Sequence, residues 1–193
     1  MSVATYDGPI SDLKYLDWSE HPITISKADQ WSDIPYPGGF PLVLDPIVKD
    51  VCFQKVLIDG GSALNILFIG SLEELGLKKE DLTLVDSPFW GIIPRKVSLP
   101  LGQIILPVQF STTKHFCVDY VNFLVADFNT AYHAILGRPA LAKFMVMSHY
   151  TYLVLKMPTE QGVLSLRANL NVAYNCEKER FVLAKATDIS LHM

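Results

Sequence analysis

The segment VLIDGGS, residues 56–62, holds the residue types best suited to chemistry in this chain. The run before Asp59 is β-branched and aliphatic, so we expect the aspartate to emerge at the end of a buried strand. Gly60 and Gly61 leave the backbone uncovered, which lets another chain or a substrate approach closely. An Asp-Gly pair after an apolar run is by itself more often a plain turn. Support comes from Ala134-Ile135-Leu136-Gly137, again an apolar strand that ends in glycine and precedes a helix start.

Two other constellations are weaker. His115 and Cys117 could form a metal pair with Cys52 or His133, but no further ligands stand at the spacing of a zinc site. Alternating side chains of a strand are the simpler interpretation. Ser62 lacks the Gly-x-Ser-x-Gly elbow of a serine hydrolase. We therefore expect no metal and no cofactor.

The composition disfavours several classes of protein. Of 193 residues, 50% are apolar and 19% are charged, which supplies a sizeable core and argues against extensive disorder. A formal net charge of −4 disfavours non-specific nucleic-acid binding, because no excess of cations is available to neutralise phosphates. No run reaches the ~18 apolar residues of a membrane helix, and the first residues are acidic where a signal peptide is basic. Three widely spaced cysteines favour a reducing compartment, so we expect an intracellular, cytoplasmic protein.

Turn signals and apolar runs divide the chain into three parts. Residues 1–39 are predicted to form an irregular arm, in which PITIS is a short strand candidate and Trp18 and Trp31 are candidates to pin the arm to a surface. Residues 40–168 predict one mainly β domain of barrel or sandwich type, because many short apolar runs alternate with turn residues. Residues 169–193 predict a helical tail.

Within the predicted domain, VCFQKVLI and YTYLVLKMP have the composition and length of strands, and YTYLVLKMP is expected to form a hairpin with GVLSLRA. Ser71 is expected to cap a short helix, and Pro139 stands where another can begin. The tail is predicted to be amphipathic, with one face formed by Leu170, Ala173, Tyr174 and Phe181.

Five segments carry a resemblance to a known family: FPLVLDPIV, KVLIDGGSALNILF, LPLGQIILPV, AYHAILGRPALAKFM and YTYLVLKMPTEQGV. In this order and at this spacing they make the chain similar to retropepsins, and closely similar to the protease region of plant gypsy-type LTR retrotransposon polyproteins. A shorter version of the same skeleton is similar to the retropepsin-like domains of ubiquitin-shuttle proteins. The resemblance implies a mainly β, single-lobe acid-protease barrel with one or two short helices, acting as an aspartic endopeptidase on a polyprotein.

The resemblance also implies a role for each residue of the site. Asp59 falls on the catalytic aspartate of the family's Asp-Thr/Ser-Gly triplet. Gly61 and Ser62 would contact the substrate, as would Gly91 and Ile92 in Trp90-Gly91-Ile92-Ile93, which would belong to a flap that closes over it. The residues expected to support the active-site loop are Gly60, Ile135, Leu136, Gly137 and Arg138.

The chemistry of an aspartic protease then requires two chains. Peptide hydrolysis by water needs a base to activate the water and an acid to protonate the departing nitrogen. Two adjacent carboxylates supply both, because repulsion between like charges makes them share one proton. The chain has one credible Asp-x-Gly, since Asp7-Gly8 has no strand before it and Pro9 after it. We therefore expect a homodimer with Asp59 and its symmetry mate at the two-fold axis.

Gly60 departs from the family pattern. The family's residue here is usually Thr or Ser, whose hydroxyl hydrogen-bonds across the dimer axis, and its loss would cost roughly 0.5–1.5 kcal/mol per bond. Ala63 stands where retroviral enzymes often carry an acid that pairs with the helix arginine, so Arg138 would need another partner. These departures keep an alternative open, a retropepsin-like dimerisation or binding module that no longer cleaves.

Overall fold

The structure, a computed structural model, describes residues 22–85, 99–113 and 115–191, with side chains described up to residue 183. Across these residues it is mainly β. A sheet of eight strands takes the order β1-β4-β8-β5-β7-β6-β2-β3, and a second sheet has the order β11-β10-β9. The strands are β1 Val43–Leu44, β2 Ile47–Val48, β3 Val51–Cys52, β4 Val56–Ile58, β5 Ile66–Phe68, β6 Gly102–Ser111, β7 Phe116–Ala126, β8 Ala134–Leu136, β9 Met147–His149, β10 Val154–Thr159 and β11 Gly162–Arg167.

Three helices in the described residues complete the fold: α1 Ile69–Glu74, α2 Arg138–Lys143 and α3 Leu170–Leu191. Short 3-10 turns lie at Lys27–Asp29 and Lys79–Asp81. A mainly β lobe with two short helices and a C-terminal helix was predicted from the sequence, and the structure confirms it. The division into an arm, a domain and a tail stays a prediction.

The strand order places β8 between two strands that come much earlier in the chain. β8 pairs in parallel with β4, with Ile135 opposite Leu57, and antiparallel with β5, with Ile135 opposite Ile66. The connection from β4 to β5 must therefore pass over the end of β8. Residues 59–65 form this connection, so the strand order itself brings Asp59 next to the end of β8.

The core lies on the inner face of the large sheet. Alternate residues of the long β6–β7 hairpin point inward, as the period of a strand requires, and pack against Phe53, Leu72 and Phe144. A second cluster lies where α3 packs, with Ala173 and Cys176 fully buried. The two clusters together bury both faces of β4, β5 and β8, which fixes the strands around Asp59.

Two predicted strands are wrong in their bounds. VCFQKVLI is broken after Cys52, because Phe53 turns into the core and donates its backbone N–H to the oxygen of Pro46 (2.9 Å). YTYLVLKMP begins as a turn over residues 150–153 and becomes strand only at Val154. The hairpin of β10 and β11 is confirmed, with Thr159 opposite Gly162.

The predicted ends and faces of the helices also need correction. Ser71 does not cap α1 but lies inside it, and its hydroxyl donates to the oxygen of His133 (2.9 Å). α2 begins at Arg138 with Pro139 in its first turn, as expected. In α3 the buried face is formed by Ala173 and Cys176, whereas the predicted members Tyr174 and Phe181 are each 55% exposed.

Residues 22–26 do not form a strand, so the prediction for PITIS is wrong. Trp31 donates its indole N–H to the oxygen of Tyr152 (2.8 Å), which shows the surface that this tryptophan contacts. Lys156, only 8% exposed, contacts Asp29 (2.6 Å) and donates to the oxygen of Thr24 (2.7 Å). Within the described residues, no helix has the length and apolar character needed to cross a membrane.

Candidate active site

Asp59 follows β4 directly, and main-chain groups hold it in place. Its backbone N–H continues the strand pairing by donating to the oxygen of Leu136 (3.0 Å). Its carboxylate Oδ1 accepts the N–H of Gly61 (2.9 Å), and its backbone oxygen accepts the N–H of Ser62 (3.2 Å). The side chain is half-buried, and no second carboxylate in the described part of the chain hydrogen-bonds to it. The N–H of Gly61 thus orients one carboxylate oxygen, while the carboxylate as a whole stays accessible to solvent.

The Ser62 side chain stabilises the loop through hydrogen bonds to its main chain and is not placed as a nucleophile. Its hydroxyl donates to the oxygen of Leu64 (2.8 Å) and accepts the N–H of the same residue (3.2 Å). Its backbone oxygen accepts the N–H of Arg138 at the start of α2 (2.9 Å). The hydroxyl is therefore occupied by local main-chain groups, which argues against a serine hydrolase centre at Ser62.

Gly137 is where the loop crosses β8, and the crossing leaves no room for a side chain. A Cβ at this position would lie 2.3 Å from the oxygen of Leu64 and 2.8 Å from the oxygen of Ser62. Both atoms belong to the backbone, so neither can move aside without displacing the Asp59 loop. The glycine is a requirement of close backbone approach, and its φ is not positive.

Asn65 ties the loop to its surroundings, and sequence reasoning missed it. The side chain is 6% exposed; its oxygen accepts the N–H groups of Gly137 (3.0 Å) and Ala140 (3.3 Å), and its nitrogen donates to the oxygen of Asn122 (3.1 Å). One amide thus joins β5, α2 and β7. The available signal was a lone polar residue between apolar neighbours in ALNILF, since buried polar groups are nearly always hydrogen-bonded.

The remaining predicted support residues lie together but contribute in different ways. Ile135 and Leu136 place their backbones beside Leu57 and Ile58, and thus behind the loop. Arg138 contributes its backbone N–H, while its side chain is exposed and forms no ion pair with a described carboxylate. The predicted flap residues Trp90, Gly91, Ile92 and Ile93 lie outside the described residues.

Gly60 lies exposed at the top of the loop, beside an aromatic residue that the sequence did not single out. A Cβ on Gly60 would lie 3.7 Å from the hydroxyl oxygen of Tyr150, which is an ordinary contact distance. The φ of Gly60 is not positive, so a larger residue could adopt its backbone conformation. The loop that carries Asp59 therefore has a phenol hydroxyl next to it.

The weaker constellations do not form sites in the described structure. No group of three or more His, Cys, Asp or Glu side chains stands close enough to hold a metal ion among the described residues. Burial raises the pKa of the Cys52 and Cys117 thiols, and burial lowers the pKa of His133, so these groups favour their neutral forms. A cleft of ≈ 770 Å³ opens at the other end of β4, beside Leu44 and Gln54, and does not include Asp59.

Comparison with known proteins shows likenesses in fold to solved structures. No protein-family model and no curated protein matches the sequence. The retroviral protease-like domain of Ddi1 from Leishmania major is similar at 17% identity and a TM-score of 0.45, over 68% of this chain and 94% of that one. A retropepsin-like aspartic protease from Rickettsia conorii is similar at 16% identity and a TM-score of 0.45, over 64% of this chain and 83% of that one. What the site can do follows from this chain's own residues.

Proposed function

We propose that this protein is an aspartic endopeptidase that works as a homodimer with one catalytic aspartate, Asp59, from each chain. One observation carries the proposal: the crossing of the Asp59 loop over β8 presents a half-buried, backbone-oriented carboxylate to which no second acid of the described residues is hydrogen-bonded. A single carboxylate of this kind is half of an acid–base pair. A two-fold axis at the loop supplies the other half, because it places identical groups face to face.

In such a dimer the two Asp59 side chains divide the work. Like charges at close range share one proton, so one carboxylate is the base that takes a proton from the attacking water. The other carries the proton and donates it to the departing nitrogen. The contact from the N–H of Gly61 supports this role, since it orients the carboxylate without neutralising its charge.

The substrate we propose is a polypeptide, and in particular the polyprotein of an LTR retrotransposon. This part rests on the resemblance of segments such as KVLIDGGSALNILF and AYHAILGRPALAKFM to plant gypsy-type proteases. We also propose an intracellular location on the spacing of the cysteines. Gly61, Ser62, Gly91 and Ile92 are the proposed substrate contacts.

Incubation of the chain with an unstructured polypeptide near pH 5 and near pH 7 tests the activity. We expect cleavage that a transition-state isostere of the pepstatin kind abolishes, because such a compound places a hydroxyl between the two carboxylates. Cleavage that resists the isostere but stops with a serine or metal-directed inhibitor would contradict the proposal.

A second candidate is a dimerisation or binding module that no longer cleaves. Gly60 favours it, because this position carries no hydroxyl to brace a facing loop. The two candidates separate in one measurement. A chain that dimerises but leaves every polypeptide intact at saturating concentration is the module, whereas cleavage that depends on Asp59 establishes the protease.

A further inference from the structure

We infer that Tyr150 is a positioning residue of the active-site loop, whose hydroxyl takes the place of the side chain that Gly60 lacks and hydrogen-bonds to the facing loop of a second copy of the chain. The inference rests on the proposed homodimer and names the residue that holds its two loops together. It starts from one distance, 3.7 Å between the hydroxyl oxygen and the Cβ position of residue 60. A side chain on residue 60 would therefore lie in contact with this hydroxyl.

The surroundings of Tyr150 hold the backbone that carries its ring. It begins a turn of residues 150–153 whose two ends are joined by the pairing of His149 with Val154. The turn is closed by the N–H of Tyr152, which donates to Nδ1 of His149 (3.2 Å). Leu153 is fully buried in the core and has a φ of 48°, a left-handed conformation that the turn requires. The phenol is thus carried by a turn whose backbone is held by strand pairing, a hydrogen bond and a buried leucine.

The hydroxyl of Tyr150 is available for a partner. The residue is 40% exposed, and its hydroxyl forms no hydrogen bond with any described residue. Gly60 and Gly61 beside it are exposed as well. The Asp59 loop therefore exposes glycine backbone and one phenol hydroxyl on the same surface. In the proposed dimer, the second Asp59 carboxylate lies next to this surface.

A two-fold axis converts this arrangement into two equivalent contacts. In an isologous interface, a group beside Gly60 of one copy faces the main chain near Gly60 of the other copy, and the reverse contact follows by symmetry. A hydroxyl can both donate and accept, so it suits either a backbone oxygen or an N–H. We expect each Tyr150 to contact the opposite loop in this way, which keeps the two Asp59 carboxylates in register.

The test is Tyr150→Phe, which removes the hydroxyl and keeps the ring. Because two bonds per dimer are lost, we expect self-association to weaken about tenfold, measured by analytical ultracentrifugation of a dilution series. Tyr152→Phe is the matched control, since Tyr152 lies in the same turn and its ring contacts His149 instead (4.4 Å between ring centroids). It should self-associate like the wild type.

Rescue separates a missing hydroxyl from a damaged turn. Adding Gly60→Thr to Tyr150→Phe should restore most of the lost association, because the threonine places a hydroxyl beside the position that the phenol hydroxyl left, where it can bond to the facing main chain. Gly60→Ala in the same background should restore much less. Equal rescue by both, or an unchanged dissociation constant for Tyr150→Phe, would overturn the inference.

The readouts also distinguish this inference from the proposed function. Association is measured without cleavage, in an Asp59→Asn background, so it does not depend on activity. If Tyr150→Phe raises KM for a peptide and leaves the dimer unchanged, the phenol binds substrate and the inference fails while the protease stands. If the wild type dimerises through Tyr150 but never cleaves, the inference stands and the protease fails.

Discussion

Among the described residues, the hydrogen-bond partners of Asp59 are backbone groups, so its charge can be removed while these partners stay in place. An asparagine oxygen at residue 59 can still accept the N–H of Gly61, and the backbone N–H of residue 59 still donates to the oxygen of Leu136. On the proposed mechanism Asp59 is the base that activates water, so Asp59→Asn should lower cleavage by several orders of magnitude. Circular dichroism should remain that of the wild type. The measurement is cleavage of an unstructured polypeptide by both proteins at equal concentration.

Asp127→Asn is the control for this substitution, since Asp127 is an exposed acid just after β7. It should keep full activity. An equal loss in both variants would indicate general destabilisation, and unchanged cleavage in Asp59→Asn would remove Asp59 from the mechanism.

At the scale of single residues, the sequence revealed groups defined by local pattern and missed those defined by long-range contact. The position of Asp59 after an apolar run was predicted because strand and turn are local properties. Asn65 and Tyr150 were not singled out, since their partners lie 72 and about 90 residues away along the chain. Only the folded chain brings such pairs together.

At the scale of elements, the crossing of the loop over β8 depends on a glycine. Gly137→Ala would place a methyl group 2.3 Å from the oxygen of Leu64, so the loop or β8 must shift. We expect a loss of about 1–3 kcal/mol or more in the free energy of unfolding. Activity should fall further than stability, because the displaced loop carries Asp59. Urea denaturation and cleavage assays measure the two effects.

Gly70→Ala is the matched control, because Gly70 lies in α1 and a Cβ there meets nothing within 4 Å. An alanine in a helix should stabilise the protein by about 0.5–1 kcal/mol. If Gly137→Ala were as harmless as Gly70→Ala, the close backbone approach would not be a feature of the folded protein.

Sequence patterns predicted most elements but not how they are arranged. The hairpin of β10 and β11 is local, and its turn residues identified it. The position of β8 between β4 and β5 is a property of strand order, on which apolar periodicity is silent. Phe53 shows why the predicted strand bounds were wrong. Its side chain is buried in the core, and this breaks the strand that the sequence predicted to be continuous.

At the scale of the whole molecule, the segment before β1 is attached to β10 by a partly buried ion pair. Lys156 donates to Asp29, and this hydrogen bond is the main cause that holds the pKa of Asp29 below its usual value of 3.8. A lowered carboxyl pKa contributes stability that is present above pH 3.8 and is lost as the pH falls through the lower pKa of the folded state. Asp29→Asn should therefore lower the urea midpoint at pH 6 and have a smaller effect near pH 3.

Adding Lys156→Met to Asp29→Asn tests the same pair from the other side. An unpaired buried ammonium is costly, and the double variant removes it. Its midpoint at pH 6 should exceed that of Asp29→Asn alone. A double variant whose urea midpoint at pH 6 lies below those of Asp29→Asn alone and Lys156→Met alone would show that the pair is not what attaches residues 24–29 to β10.

Mixing two kinds of chain decides whether the active site belongs to one chain or to two. Wild-type protein at a concentration where it is partly dimeric should lose nearly all activity when a large excess of Asp59→Asn chain is added, because each wild-type chain is then paired with one that lacks the base. An equal excess of Asp127→Asn chain should instead raise activity, since it supplies an intact carboxylate to each new dimer. Cleavage is followed at saturating substrate so that the added chain does not compete for it. Activity that is unchanged by the Asp59→Asn chain would place the complete site within one chain and exclude the shared pair of carboxylates.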